Sequence, residues 1–177
     1  MNKILVNDAE INVLELDFPM IVHGEDKSGA SLYTVSLAAN FHAAGKNVVC
    51  LSGYEMAQKE FFRQVRSQDV KAKFFVQHQV EEFVEYCDTV DDALVIIKNI
   101  ELFEYDILRV TKRNASFILS GNLQNVTWIE KLNTQHYRTK IYFSALADVQ
   151  IPKLEKYEGF IQSKTLNGKT HLLLSPI

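Results

Sequence analysis

Pro19-Met20-Ile21-Val22-His23-Gly24-Glu25-Asp26-Lys27-Ser28-Gly29-Ala30-Ser31 is the stretch on which the reading of this chain turns. Met20–Val22 is a short apolar run that reads as a buried strand. Gly24, four variable residues, Gly29 and Ser31 follow, and then an apolar periodic segment from Leu32 to Ala44. Strand, glycine loop and helix is the order in which backbone N–H groups and a helix N-terminus can cradle phosphate. The spacing G-x-x-x-x-G-x-S fits such a loop. The lysine that should precede the serine is absent, and Ala30 stands in its place. Gly24, Glu25, Asp26, Lys27, Ser28, Gly29, Ala30 and Ser31 are therefore the candidate phosphate-binding residues. Ser31 keeps a metal-facing hydroxyl, and Lys27 offers a charge from another direction. The bland alternative is a loop that merely joins strand to helix.

Outward from this stretch the chain alternates short apolar runs with amphipathic segments. Ile4–Val6 and Ile11–Leu16 flank Asn7-Asp8-Ala9-Glu10, a turn, and form a hairpin ahead of the core. Phe18-Pro19 ends the second run. Gly45 caps the helix after the loop, with Lys46 at its negative end. Val48-Val49-Cys50-Leu51 is apolar throughout, as strands covered on both faces are. Met56–Gln68 reads as a helix with Phe61, Phe62 and Val65 inward, Lys73–Val76 as a strand, and Val80–Cys87 as a helix. Ala93–Ile97 is the most hydrophobic stretch and reads as the central strand. Leu102–Arg113 and Val126–Thr134 read as helices, Ser116–Ser120 and Lys140–Leu146 as strands. Gly159–Leu166 and Lys169–Leu174 flank Asn167-Gly168, a strong hairpin-turn signal. Repeated strand–helix order followed by a hairpin predicts α/β with a mostly parallel sheet and an antiparallel edge.

The 177 residues predict one domain over 1–177, with N-terminal strands in 1–18 and a terminal hairpin in 159–176. A composition 47% hydrophobic and 23% charged supplies a core and excludes a disordered tail. The net charge of −3 leaves no global basic field for nucleic acid or anionic lipid. Cys50 and Cys87, without C-x-x-C spacing, read as reduced thiols, and the five histidines have no metal-ligand spacing. Neither a signal peptide nor a membrane span is legible, so the cytoplasm is the expected location.

With these segments in order, the chain resembles the RecA-like branch of P-loop ATPases, of the KaiC/RadA type, over roughly residues 19–176. The resemblance implies a three-layer RecA-like P-loop NTPase fold, with ATP or ADP as ligand. It implies a catalytic glutamate after the second core strand, which falls on Glu55. It implies an aspartate after the Walker B strand Leu94–Ile97, where Lys98 stands instead. It implies a polar sensor after Phe117–Ser120, which falls on Asn122. A basic residue of the terminal hairpin that reaches a neighbouring subunit's nucleotide falls on Lys164. Ala30 and Lys98 thus replace the lysine that neutralises phosphate and the aspartate that holds the Mg²⁺-bound water. Phosphoryl transfer depends on that neutralisation, so the need for Mg²⁺ is open and hydrolysis is expected to be weakened or lost.

Each residue also has a structural reading. Lys98 can supply a cation to the phosphates, or snorkel from the sheet end or pair with Glu101. Glu55 can orient a water, or simply favour a helix start. His23 can approach a ligand, or be a hydrogen-bonded core histidine. The resemblance implies a pseudoenzyme-like structural or regulatory subunit, forming a homo-oligomer or pairing with a paralogous ATPase subunit. A divergent active ATPase is the alternative. Arg109, Lys112, Arg113, Lys131, Arg138 and Lys140 are a modest cationic supply for a nucleic-acid accessory role.

Overall fold

The short apolar runs, several buried on both faces, pair into one sheet. The computed structural model describes residues 3–53, 56–65, 72–112 and 116–171. Its strands are β1 (Lys3–Val6), β2 (Ala9–Asn12), β3 (Met20–His23), β4 (Asn47–Ser52), β5 (Ala72–Val76), β6 (Ala93–Lys98), β7 (Phe117–Gly121), β8 (Thr139–Tyr142), β9 (Glu158–Gln162) and β10 (Asn167–His171). Its α-helices are α1 (Ala30–Ala43), α2 (Met56–Val65) and α3 (Val80–Thr89).

The strand order is β2-β1-β10-β9-β8-β3-β7-β6-β4-β5. From β8 to β5 neighbouring strands run parallel, and from β2 to β8 they run antiparallel. The expected parallel sheet with an antiparallel edge is therefore present. The N-terminal hairpin joins the terminal one to make that edge four strands wide. β6 lies inside the parallel block, between β4 and β7, and is buried along its whole length.

Alternate residues face opposite layers. Met20, Val22, Val48, Cys50, Leu94, Ile96 and Ile118 pack with α1 and with Phe61 of α2. Ile21, Val49, Leu51, Val95, Ile97 and Leu119 pack with Phe83 of α3 and with Trp128. α1 ends as expected: Gly45 has φ +90°, its N–H donates to His42 O at 2.9 Å, and Lys46 N–H donates to Phe41 O at 3.0 Å.

Several expectations are corrected. The segments read as helices over Leu102–Arg113 and Val126–Thr134 form 3₁₀ turns instead, at Ile100–Leu102, Tyr105–Val110, Leu123–Asn125, Ile129–Lys131 and Thr134–His136. Asn122 and Asn133 accept hydrogen bonds from the N–H groups of Gln124 and Gln135, an Asx turn that competes with helix propagation. Trp128 Nε1 donates to Phe103 O at 2.8 Å and ties the two irregular segments together. Arg113 lies outside the described residues. The strand read to Leu16 stops at Asn12, whose side chain caps a turn over Val13–Glu15. The strand read to Leu146 stops at Tyr142.

Asn167-Gly168 is not the hairpin turn. Both residues sit in β10, opposite Gln162 and Ile161. The turn spans 163–166 and is closed by Ser163, whose N–H donates to Leu166 O and whose Oγ accepts from Leu166 N–H. Gly168 serves another purpose: a Cβ there would lie 2.2 Å from Asn7 Nδ2. The Asn7 side chain crosses this point and accepts from Lys169 N–H at 3.1 Å. The return strand beyond His171 lies outside the described residues. Phe61 is fully buried as expected, whereas Phe62 is 42% exposed and does not face the core. The Val65 side chain, and the helix read beyond it to Gln68, lie outside what is described.

Candidate functional site

The carboxyl ends of β3, β6 and β7 meet at one edge, with His23 in register with Gly121 and Lys98 with Ser120. α1 begins above that edge. Ligands in open α/β sheets bind at this end of the strands. The pleat decides which side chains point there. Lys98 follows Leu94 and Ile96 on the α1 face of β6, and Ser120 follows Ile118 on the same face of β7. His23 falls on the opposite face from Val22. It is fully buried, accepts from Leu123 N–H through Nδ1 at 3.0 Å and donates from Nε2 to Ala145 O at 3.2 Å. Burial holds its pKa below the usual 6.5. His23 is thus the hydrogen-bonded core histidine of the structural reading.

The loop between β3 and α1 is held from several sides. Gly24 N–H donates to Gly121 O at 3.2 Å, Glu25 N–H to Ser144 Oγ at 2.9 Å, and Ser28 N–H to Glu25 O at 3.2 Å. Lys27 has φ +63° and Gly29 φ +98°. Gly24 leaves room for the loop to double back, since a Cβ there would lie 2.5 Å from Ala30 Cβ. The result is a hollow of about 220 Å³. The loop and the first turn of α1, Ser31 and Leu32, form one wall. Lys98 at the end of β6 with Asn99 and Glu101 after it, and Ser120 and Gly121 at the end of β7 with Asn122 after it, line the rest, together with Tyr157.

Lys98 is 3% exposed, and its Nζ donates to Ser31 Oγ at 2.7 Å. An ammonium has three N–H donors. Among the described residues no carboxylate forms an ion pair with it. Glu101, the partner considered from sequence, accepts instead from Asn122 N–H at 2.9 Å. Glu60 of α2 acts on Lys98 through space but pairs with Arg63 at 2.6 Å. Burial pushes the Lys98 pKa below its usual 10.5, against the nearby Cys50 and Glu60, which favour the charged form. A buried cation with one hydroxyl acceptor at the floor of a hollow is suited to an anion entering above it. Glu25, Asp26 and Lys27 lie on the exposed rim, where charge is screened.

The structure therefore brings seven of the eight loop residues together with Lys98 around the hollow; Ser28 is not on its lining and accepts from Ala30 N–H at 3.4 Å within the loop. Asn122 also lines the hollow, although its side-chain oxygen is engaged with Gln124 N–H. Glu55 lies outside the described residues. Lys164 sits exposed in the 163–166 turn, not in the strand where it was expected. Sequence reasoning missed Ser120 and Tyr157. Period-two counting from Ile118 would have placed Ser120 beside Lys98. Nothing local marks Tyr157, which reaches the loop through the tertiary path of the segment before β9.

No family model matches the chain, and no curated protein matches it in sequence. Solved structures do resemble it. The flagellar accessory protein FlaH from Methanocaldococcus jannaschii aligns at TM-score 0.53 and 14% identity over 84% of this chain and 78% of that one. The genome packaging NTPase B204 from Sulfolobus turreted icosahedral virus 2, in complex with ATP-gammaS, aligns at 0.59 and 14% over 92% of this chain and all of that one. The cytoplasmic domain of the Thermomonospora curvata type VII secretion ATPase EccC aligns at 0.57 and 8%, with the chain covering 99% of itself but 26% of EccC. At these identities the likeness shows the fold, which is that of the P-loop ATPases.

Proposed function

We propose that this chain is a degenerate RecA/KaiC-like P-loop protein that holds the phosphates of ATP or ADP in the hollow above Lys98 and hydrolyses them weakly or not at all. The observation that carries this reading is the Lys98–Ser31 contact at 2.7 Å. It supports a cation aimed at the loop from β6, where Ala30 stands in place of the lysine before Ser31. The nucleotide analogue held by the B204 relative supports a nucleotide as the ligand of this fold. Glu55 and Asn122 are the residues proposed to orient water if any hydrolysis persists.

The chain then acts as a structural or regulatory subunit in the cytoplasm, self-associating or pairing with an active paralogue. The exposure of Lys164 supports its reach toward a neighbour's nucleotide. A nucleic-acid role is less well supported, because Arg109, one of its candidate cations, is paired with Glu81 at 2.9 Å. Calorimetric titration with ATP, ADP and tripolyphosphate tests binding. Phosphate release, measured beside Glu55→Gln, tests catalysis. Turnover abolished by Glu55→Gln would establish the divergent active ATPase instead.

A further inference from the structure

The fold brings with it an expectation of Mg²⁺ that the residues present do not meet. Mg²⁺ takes oxygen ligands at ~2.0–2.1 Å in near-octahedral array, usually one or two carboxylates plus substrate phosphates. In this hollow the Ser31 hydroxyl is the donor in the metal-facing place. It already accepts from the Lys98 ammonium at 2.7 Å. A Mg²⁺ ligated by the same oxygen would stand no more than about 5 Å from that ammonium, two cations sharing one hydroxyl oxygen. The carboxylate that the resemblance implies for holding the ion's water would fall at position 98, where Lys98 stands. Glu101, which also lines the hollow, accepts from Asn122 N–H through one carboxylate oxygen at 2.9 Å and makes no ion pair with Lys98 among the described residues. Among the described residues no group of three or more His, Cys, Asp or Glu is placed to hold a metal.

We infer that the hollow binds its phosphate chain free of divalent metal, with the Lys98 ammonium in the place of the ion, and that Mg²⁺ opposes binding. This rests on the reading of the hollow as a phosphate site and names the ligand form it selects. Lys98 meets the terminal phosphate oxygens while still bonded to Ser31. The rim carboxylates Glu25 and Asp26 stay in solvent, outside the floor.

Calorimetry of the full chain with tripolyphosphate and with ATP, each in EDTA and in excess Mg²⁺, tests it. Binding at least tenfold tighter in EDTA is expected for both ligands. Lys98→Asp places a carboxylate beside Ser31 and is expected to reverse the preference. Should that variant not fold by circular dichroism, Lys98→Met is expected to bind at least tenfold more weakly in EDTA and to lose the difference between the two buffers. Equal or tighter binding by the unaltered chain in Mg²⁺ overturns the inference and leaves the phosphate reading standing. No heat with either ligand in either buffer overturns both.

Discussion

The Lys98 ammonium donates to the Ser31 hydroxyl across 2.7 Å, joining the end of β6 to the first turn of α1. Both ends of this contact follow from local rules. Lys98 is the last residue on the α1 face of an otherwise apolar strand. Ser31 is the second residue of a helix whose N-cap, Gly29, is left-handed and brings the chain back over the sheet edge. The contact keeps a charge at a buried place that an apolar side chain could fill.

Lys98→Met separates that cost from its use. Methionine fits the same channel without a charge to desolvate. The ligand-free variant is expected to be as stable as the unaltered chain or more so, by up to about 2 kcal/mol in urea unfolding. Tripolyphosphate affinity is expected to fall at least tenfold. A destabilised Lys98→Met with unchanged affinity would make the lysine structural.

The lowered Lys98 pKa fixes a sign for pH dependence. Between its folded-state value and the unfolded 10.5, the unfolded chain binds the extra proton, so this group makes stability rise with pH across that window. A bound anion favours the charged form, so affinity is expected to fall as pH rises through the same window. Titrations at stepped pH check both, and Lys98→Met should flatten both curves.

Much of this was legible in the sequence. The strand–loop–helix run from Met20 and the missing loop lysine were both readable, as was the cation at the end of β6. Local composition failed where a distant contact decides. Asn167-Gly168 has turn chemistry, yet Gly168 is small because Asn7, brought by the N-terminal hairpin, lies over it. The apolar spacing over Leu102–Arg113 and Val126–Thr134 suggested helices. Asn122 and Asn133 side chains cap 3₁₀ turns at Leu123–Asn125 and Thr134–His136, and Trp128 Nε1 ties its segment to Phe103 O. Tyr157 could not be placed at the hollow without knowing the path of the chain to β9.

Gly29→Ala tests how tightly the loop is closed. The position has φ +98°, and a Cβ would lie 3.0 Å from Tyr157 Cδ1. Backbone strain and contact together are expected to cost about 1–3 kcal/mol. In a Tyr157→Ala background the contact disappears and only the backbone part remains. A thermal-unfolding cycle over the four proteins should therefore show a smaller loss for Gly29→Ala when Tyr157 is absent. An equal loss in both backgrounds would show that Tyr157 does not press on the loop.

The base of α1 is tied to β7 by a buried hydroxyl pair, and its two halves are not equivalent. Thr34 Oγ1 donates to Ala30 O at 2.8 Å and lies 2.9 Å from Ser120 Oγ. The threonine proton is already committed, so Ser120 is the donor between them. Ser120→Ala removes that donor and leaves Thr34 with its bond to Ala30. Thr34→Val strips Ser120 of its acceptor at a place where both residues are buried. Leaving a buried polar group unpaired costs more than removing one bond. Thr34→Val is therefore expected to destabilise by about 1–3 kcal/mol and Ser120→Ala by about 0.5–1.5 kcal/mol. The double variant should cost less than the sum. Amide exchange should speed up at Tyr33 and Thr34, in the turn that positions Ser31, in both single variants. A larger loss for Ser120→Ala than for Thr34→Val would reverse the assigned donor, and with it the account of how α1 is held over Lys98.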